Sequence, residues 1–434
     1  MSLLIKNAKL VKNSHEVIRH ILIEGKTITR ISTSMPKADN IINADFNYVI
    51  PGCIDAHVHV REPGMTHKED FFTASKAAAA GGITTILDMP NNNPATISLE
   101  ALDKKRHLAK KSIVNYGFHF GATSDNIDEI NKAHNIASIK VFMGSSTGSL
   151  LVDDPTTLEK IFRETRKLMT VHAEDEETIK QLTKKYSKES NPNIHPKIRN
   201  NTVAAKAVNK AIRLAKHYRH RLHILHVSTK EELSLIRLAN TKYVTCETTP
   251  HHLFMTKEML DKKGNLVKMN PPLRSKVDNG ALWHAVKKEI INIIATDHAP
   301  HLLKEKQQNY WKAPAGIPGL ETMLPLLLNS VNEGRLTMKQ IVRLTSNNPA
   351  AIFAIKNKGM IKAGYDGDLT IVDMNLRKKV SDKELFTKCG WSPFSGLELR
   401  GWPVTTIVNG SVVYNYGKIN NIKANEVKFD IFRY

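Results

Sequence analysis

Short apolar runs separated by polar turns fill both ends of the chain. Leu3-Leu4-Ile5, Ile21-Leu22-Ile23 and Ile28 to Ile31 are divided by Asn13-Ser14 and Glu24-Gly25-Lys26. This spacing predicts short strands and hairpins over the first fifty residues. The last seventy residues repeat the pattern. Asp368 to Asp373 and Thr405 to Tyr414 read as strands, the second folding back at Asn409-Gly410, a dipeptide suited to a tight hairpin turn.

The middle of the chain alternates differently. Apolar runs at Thr84 to Met89, Ser138 to Met143, Leu168 to His172, Leu222 to Val227, Tyr243 to Glu247 and Ile291 to Thr296 predict strands. Helical patterns such as Thr202 to His217 and Lys230 to Ala239 lie between them. Near-continuous apolar strands alternating with helices imply a parallel sheet covered on both faces. About 300 residues of this pattern fit an α/β fold, a (β/α)8 TIM-like barrel with insertions. Lys184 to Asn200 and Leu302 to Pro318 read as long loops.

Composition narrows the class. The chain has 434 residues, 41% of them hydrophobic and 24% charged, which is globular rather than disordered. Cys53, Cys246 and Cys389 are too few and too dispersed for a disulfide framework or a cysteine–zinc site. They suit a reducing, cytoplasmic setting. The start of the chain lacks the apolar core of a secretory signal, and no run of 18 apolar residues exists to cross a membrane. The net charge of +21 first suggests nucleic acid. Its lysine pairs are scattered through amphipathic and loop segments, however, and no zinc-finger or aromatic RNA-binding signature accompanies them. The charge therefore reads as a solvated lysine surface, with no nucleic-acid or membrane partner expected.

The chemistry-bearing pattern starts at Asp55-Ala-His57-Val-His59-Val-Arg61. Residues two apart on a strand share a face, so His57 and His59 can present two imidazoles together. Lys140, His172, His226 and Asp297 each lie in or end a later apolar strand. In a barrel the carboxyl ends of the strands converge. Four histidines, a carboxylate and a lysine suit a pair of divalent metal ions, with zinc the best match. A lysine confined in a strand buried on both faces has a lowered pKa, and its neutral amine can add carbon dioxide. The resulting carbamate is an oxygen ligand able to bridge two cations. His119 and His223 are expected to be bystanders.

These motifs together resemble the dihydroorotases of the amidohydrolase superfamily, in the lysine-containing branch related to hydantoinases. The resemblance runs through Asp55 to Gly64, Asp88 to Pro94, Ile139 to Gly148, Val171 to Glu174, His226 to Ser228 and Cys246 to His252. It continues in Asn270 to Arg274, Ala295 to His301 and Gly364 to Leu369. It implies a metal-dependent hydrolase barrel over residues 53–358. A small β-sandwich would be formed by both chain ends, 1–52 and 359–434.

The resemblance also implies roles. His57, His59 and Asp297 would hold one metal, His172 and His226 the other, with carboxylated Lys140 bridging them. A hydroxide shared by the two metals would be the nucleophile, with Asp297 as general base and then acid. Arg61, Asn91, Asn270 and His301 match substrate-holding positions, with backbone contacts near Ala315 and Gly316. A guanidinium two residues past His59 fits the ring carboxylate of dihydroorotate, which allantoin and dihydrouracil lack. A structural salt bridge from Arg61 to Glu62 or Asp88 is the competing expectation. His251 and His252 are expected to support their strand end. The implied reaction is the reversible cyclisation of N-carbamoyl-L-aspartate to L-dihydroorotate in pyrimidine biosynthesis. The alternatives are an allantoinase, a dihydropyrimidinase or hydantoinase, or a non-catalytic scaffold, which would be marked by lost metal ligands. A homodimer and an association with aspartate transcarbamoylase also lie within what the resemblance implies.

Overall fold

The computed structural model describes residues 2–12, 15–145 and 150–430. The Asn13-Ser14 turn and the end of the Ile139 to Gly148 motif, from Ser146 onward, lie outside the described residues. Eight parallel strands run in sequence order around one sheet. Five strands precede them: β1 (Ser2–Lys12), β2 (His15–Glu24), β3 (Thr27–Ser32), β4 (Asn40–Asn43) and β5 (Tyr48–Pro51). The eight are β6 (Cys53–Val58), β7 (Ile83–Asp88), β8 (Asn115–Gly121), β9 (Ser138–Phe142), β10 (Met169–His172), β11 (Leu222–Ile224), β12 (Val244–Thr248) and β13 (Ile293–Ile294). The ring closes where Val58 bridges His298 and the His59 N–H donates to the His298 carbonyl at 2.8 Å.

Five of the predicted barrel strands are buried at every residue: β7, β9, β10, β11 and β13. In β12 the first two residues are only half-buried. Strand β8 has the sequence Asn-Tyr-Gly-Phe-His-Phe-Gly and is also wholly buried. It carries no aliphatic run, and aromatic rings fill its place in the core, with Phe71 and Phe118 meeting edge to face at 6.2 Å. The two predicted long loops contain short helices, His195–Ile198 and Leu303–Lys306.

Strands from both chain ends share a nine-stranded mixed sheet, completed by β14 (Leu369–Lys379), β15 (Glu398–Val408), β16 (Ser411–Asn415) and β17 (Lys418–Ile419). The seam is β5 against β14, antiparallel, with Leu369 opposite Pro51 and Val372 opposite Tyr48. Since β5 leads directly into β6, this sheet is anchored at the entry to the first barrel strand. The chain then leaves β17 and returns to the barrel, where Ala424 N–H bonds the Ser112 carbonyl and Glu426 bridges Tyr116. The segment between β14 and β15 also reaches the barrel. Its Trp391 indole donates to the carbonyl of His301 at 2.8 Å.

Candidate metal centre and active site

His57 lies near the end of β6, and His59 lies just past the strand. Their pairing therefore rests on the strand end as well as on simple alternation. Nε2 of His57 and Nε2 of His59 lie 3.2 and 3.1 Å from the same Oδ1 of Asp297. The three residues are buried, and one ligand atom from each falls within 4.8 Å of the others. The opposite edges of both rings are committed. His57 Nδ1 sits 2.6 Å from Glu247 Oε1, and His59 Nδ1 sits 2.6 Å from Asn91 Oδ1. Glu247 is held ionised, its pKa about 2, by His57 and His223 despite burial. Burial drives the His59 pKa down to about 3, so that ring is neutral and, donating through Nδ1 to Asn91, turns its Nε2 lone pair toward the Asp297 carboxylate. Lone pair against carboxylate is repulsive unless a cation lies between them, so this donor set fits a divalent metal.

A second pair forms beside the first. His172 Nδ1 and His226 Nε2 face each other at 2.8 Å, and the His226 ring lies 5.4 Å from that of His57. His172 turns its other nitrogen toward Glu174, 3.1 Å away. Glu174 is kept ionised, with a pKa of about 2, chiefly by Arg199. Lys140 is fully buried on β9, its Nζ 4.4 Å from the centroid of the Phe142 ring. Burial lowers its pKa to about 7, against the pull of Asp297 and Glu247. Asp297 itself stays ionised, well below the usual carboxylate range, because His57, His59 and His226 surround it.

Three of these strand-end residues adopt left-handed backbone conformations: Arg61 at φ 70°, His226 at φ 38° and Asp297 at φ 48°. Side chains larger than glycine enter that region at a cost, and such conformations cluster at functional sites.

A small cavity adjoins the metal-ligating group. It is lined by His59, Arg61, Asn91, Asn270, Asp297, Ala299, Ala315 and Gly316. Arg61 reaches it from a turn beyond β6 rather than from the strand's inward face. Glu62 and Asp88 do not bind it. Glu62 pairs with Lys111 at 2.8 Å, and Asp88 with Lys105 at 2.6 Å. The guanidinium instead donates through Nε to the Pro300 carbonyl at 3.2 Å, and Nη2 lies 3.2 Å from His301 Nε2. Its Nη1 is buried with no partner among the described residues, as is Oδ1 of Asn270. His301 stands behind Arg61 rather than on the cavity wall. Its Nε2 is 3.1 Å from the Ala315 carbonyl, and its Nδ1 is 3.0 Å from Lys68 Nζ.

The remaining histidines separate by environment. His119 is tied to Ser138 and the Ala56 carbonyl, a packing role. His223 does more than pack, because it lies 3.2 Å from Glu247 Oε2 and so braces the carboxylate behind His57. His252 contacts the carbonyl of Pro271 at 3.2 Å, next to Asn270, while the Nε2 of His251 is buried without a partner among the described residues. The sequence reading gave no role to Glu247 or Glu174. Glu247 carried the same signal as Asp297, a carboxylate ending a barrel strand.

A parallel barrel with a buried His-His-Asp group at its carboxyl-terminal mouth defines a metal-dependent hydrolase. Residues 48–413 match the Amidohydrolase family, and the chain belongs to that family. Among curated relatives, a dihydroorotase of Methanosphaera stadtmanae is 40% identical over 423 residues, covering 95% of this chain and 96% of that protein. A dihydroorotase of Methanothermobacter thermautotrophicus is 37% identical, covering 92% of each. Among solved structures, an L-hydantoinase (dihydropyrimidinase) from Arthrobacter aurescens superposes with a TM-score of 0.94 at 31% identity, covering 98% of this chain and 99% of that one. Among the described residues, no helix is long and apolar enough to cross a membrane.

Proposed function

We propose that this chain is a dihydroorotase, interconverting L-dihydroorotate and N-carbamoyl-L-aspartate. One observation carries the choice of substrate: the unpaired Nη1 of buried Arg61 in a cavity shared with His59 and Asp297. A buried guanidinium without a carboxylate partner is costly, and a substrate carboxylate relieves that cost with charge-assisted hydrogen bonds. The full-length dihydroorotase relatives support the same reading. Hydantoin and dihydrouracil rings carry no carboxylate to meet Arg61, although the structural neighbours include enzymes named for those rings.

In this reading His57, His59 and Asp297 would hold one divalent cation and His172 and His226 a second. Lys140, as a carbamate formed with carbon dioxide, would supply oxygen ligands to both. Its burial and pKa of about 7 favour the neutral amine that carbon dioxide requires. Histidine-rich ligation suits zinc. The bound cations supply an activated water and polarise the ring amide carbonyl. Asp297, ionised and lining the cavity, takes the proton of the attacking water and delivers it to the leaving ring nitrogen. Arg61, Asn91 and Asn270 orient the ring, His301 supports Arg61, and the backbone at Ala315 and Gly316 closes the far wall.

The test is turnover of dihydroorotate, allantoin and dihydrouracil by purified protein, with metal analysis alongside. Dihydroorotate should be the preferred substrate by orders of magnitude, and preference for either neutral ring refutes the reading. Asp297→Asn should keep most of its metal and lose activity. Lys140→Ala should lose both together and recover in part with a small carboxylic acid.

A further inference from the structure

A buried lysine that pairs with no carboxylate among the described residues stands behind the substrate cavity. Lys306 is 1% exposed. Its Nζ donates to three carbonyls, those of Lys268 at 2.8 Å, Pro314 at 2.9 Å and Gly316 at 2.8 Å. An ammonium has three N–H groups, and here each has its own acceptor. A neutral amine would turn its lone pair onto one of those oxygens. The geometry therefore fits the charged form, although burial and the nearby Lys268 and Arg61 push its pKa down. Lys268 works alongside, donating to the carbonyls of Tyr310 at 2.6 Å and Ala313 at 2.7 Å. Among the described residues, the partners of both lysines are carbonyls and neither forms an ion pair with a carboxylate.

These bonds fix the direction of a short stretch of backbone. In a trans peptide the carbonyl and the following N–H point opposite ways. With the Pro314 carbonyl turned to Lys306, the Ala315 N–H points away from it, and Ala315 lines the cavity. The flanking groups are already committed. The Gly316 N–H goes to the Lys268 carbonyl at 3.0 Å, and the Ala315 carbonyl lies 3.1 Å from His301. Gly316 has φ +136°, and a Cβ there would meet the Ala299 carbonyl at 2.6 Å, so the turn is seated tightly against the strand end.

We propose that Lys306 is a specificity-determining positioning residue. Its ammonium locks the Pro314–Gly316 turn so that the Ala315 N–H faces the substrate. Together with Arg61 it also gives the cavity a positive potential that selects an anionic ring over a neutral one. This rests on the dihydroorotase reading and adds a second source of selectivity to it. Lys306 acts through the turn and through its field, without touching substrate.

The experiment is Lys306→Met on the metal-loaded enzyme. KM for dihydroorotate should rise about tenfold or more while kcat changes less than about threefold. Competitive inhibition by orotate, an anionic planar ring, should weaken by a similar factor, and inhibition by neutral uracil should not. A lysine that only supports the fold would lower the melting temperature and the active fraction, with KM and both inhibition constants unchanged, and that result overturns the proposal. If the variant does not accumulate, nitrogen-15 NMR of the lysine ammonium groups in the wild-type protein decides. A slowly exchanging buried ammonium should persist at neutral pH and shift with orotate but not with uracil; no such response overturns the proposal. Failure of the wild-type enzyme to turn over dihydroorotate would instead overturn the functional reading on which this rests.

Discussion

His57 and Glu247 stand 190 positions apart in the chain, yet His57 Nδ1 and Glu247 Oε1 meet at 2.6 Å in the barrel interior. Glu247 in turn is braced by His223 at 3.2 Å. The carboxylate holds the ring so that Nδ1 faces Glu247 and Nε2 faces Asp297.

Glu247→Gln should therefore weaken metal binding without removing a ligand. Partners of this kind typically account for 10- to 100-fold in metal affinity. Competition titration with a chelator should show a loss of about that size, and excess metal should restore much of the activity. Unchanged affinity would leave Glu247 with a packing role only.

Arg61→Met removes a guanidinium from the cavity wall. Charge-assisted hydrogen bonds contribute roughly 1.5–3 kcal/mol, so kcat/KM for dihydroorotate should fall about 10- to 150-fold. Metal content should stay normal, since Arg61 touches no ligand nitrogen of the His-His-Asp group. A variant with wild-type kcat/KM would mean that the carboxylate is held elsewhere.

Lys105 and Asp88 form a fully buried pair at 2.6 Å. Lys105 also donates to the Met89 carbonyl at 2.7 Å and to Asn92 at 2.5 Å, on either side of Asn91. Asp88 accepts the Val60 N–H at 2.8 Å, between His59 and Arg61. Lys105→Met strands a buried carboxylate and should cost about 3–5 kcal/mol in denaturant unfolding. Adding Asp88→Asn should recover a large part of that loss. Strict additivity of the two substitutions would show that the pair is not coupled.

Burial holds His119 neutral, with a pKa of about 3. In the unfolded chain the same group titrates near 6.5. Well above pH 6.5 it is neutral in both states and makes no pH-dependent contribution. As pH falls below 6.5 the unfolded chain binds a proton that the folded chain refuses, so stability is lost. Between pH 7.5 and 5.5 that loss is about 1.4 kcal/mol for this histidine. His119→Asn should be less stable at pH 7.5 but flatter over this interval by that amount. Unfolding curves of the metal-loaded protein at the two pH values measure it, and an unchanged slope contradicts the assignment.

Much of the architecture was legible in the sequence because each element carried its own signal. Aliphatic runs marked most barrel strands, since a strand covered on both faces has no polar side. Hairpin spacing marked the two β-rich ends. Strand β8 was not legible, because its aromatic and glycine residues lack that aliphatic run. The short helices of Leu303–Lys306 and His195–Ile198 were hidden in polar segments, where tertiary contacts rather than periodicity hold them.

The sequence by itself placed the candidates His57, His59, Lys140, His172, His226 and Asp297 in or near the ends of barrel strands, and the fold brings His57, His59 and Asp297 into one buried group. Residue type and position along a strand are local properties, and the barrel rule carries strand ends to one mouth. Only the tertiary structure decided which nitrogen of each imidazole faces the centre. It also decided that Glu62 and Asp88 are taken by Lys111 and Lys105, which leaves Arg61 open toward the cavity. These are choices among partners far apart in the chain, and burial makes each choice exclusive. A charge removed from water must find its counterpart in the fold or in the substrate.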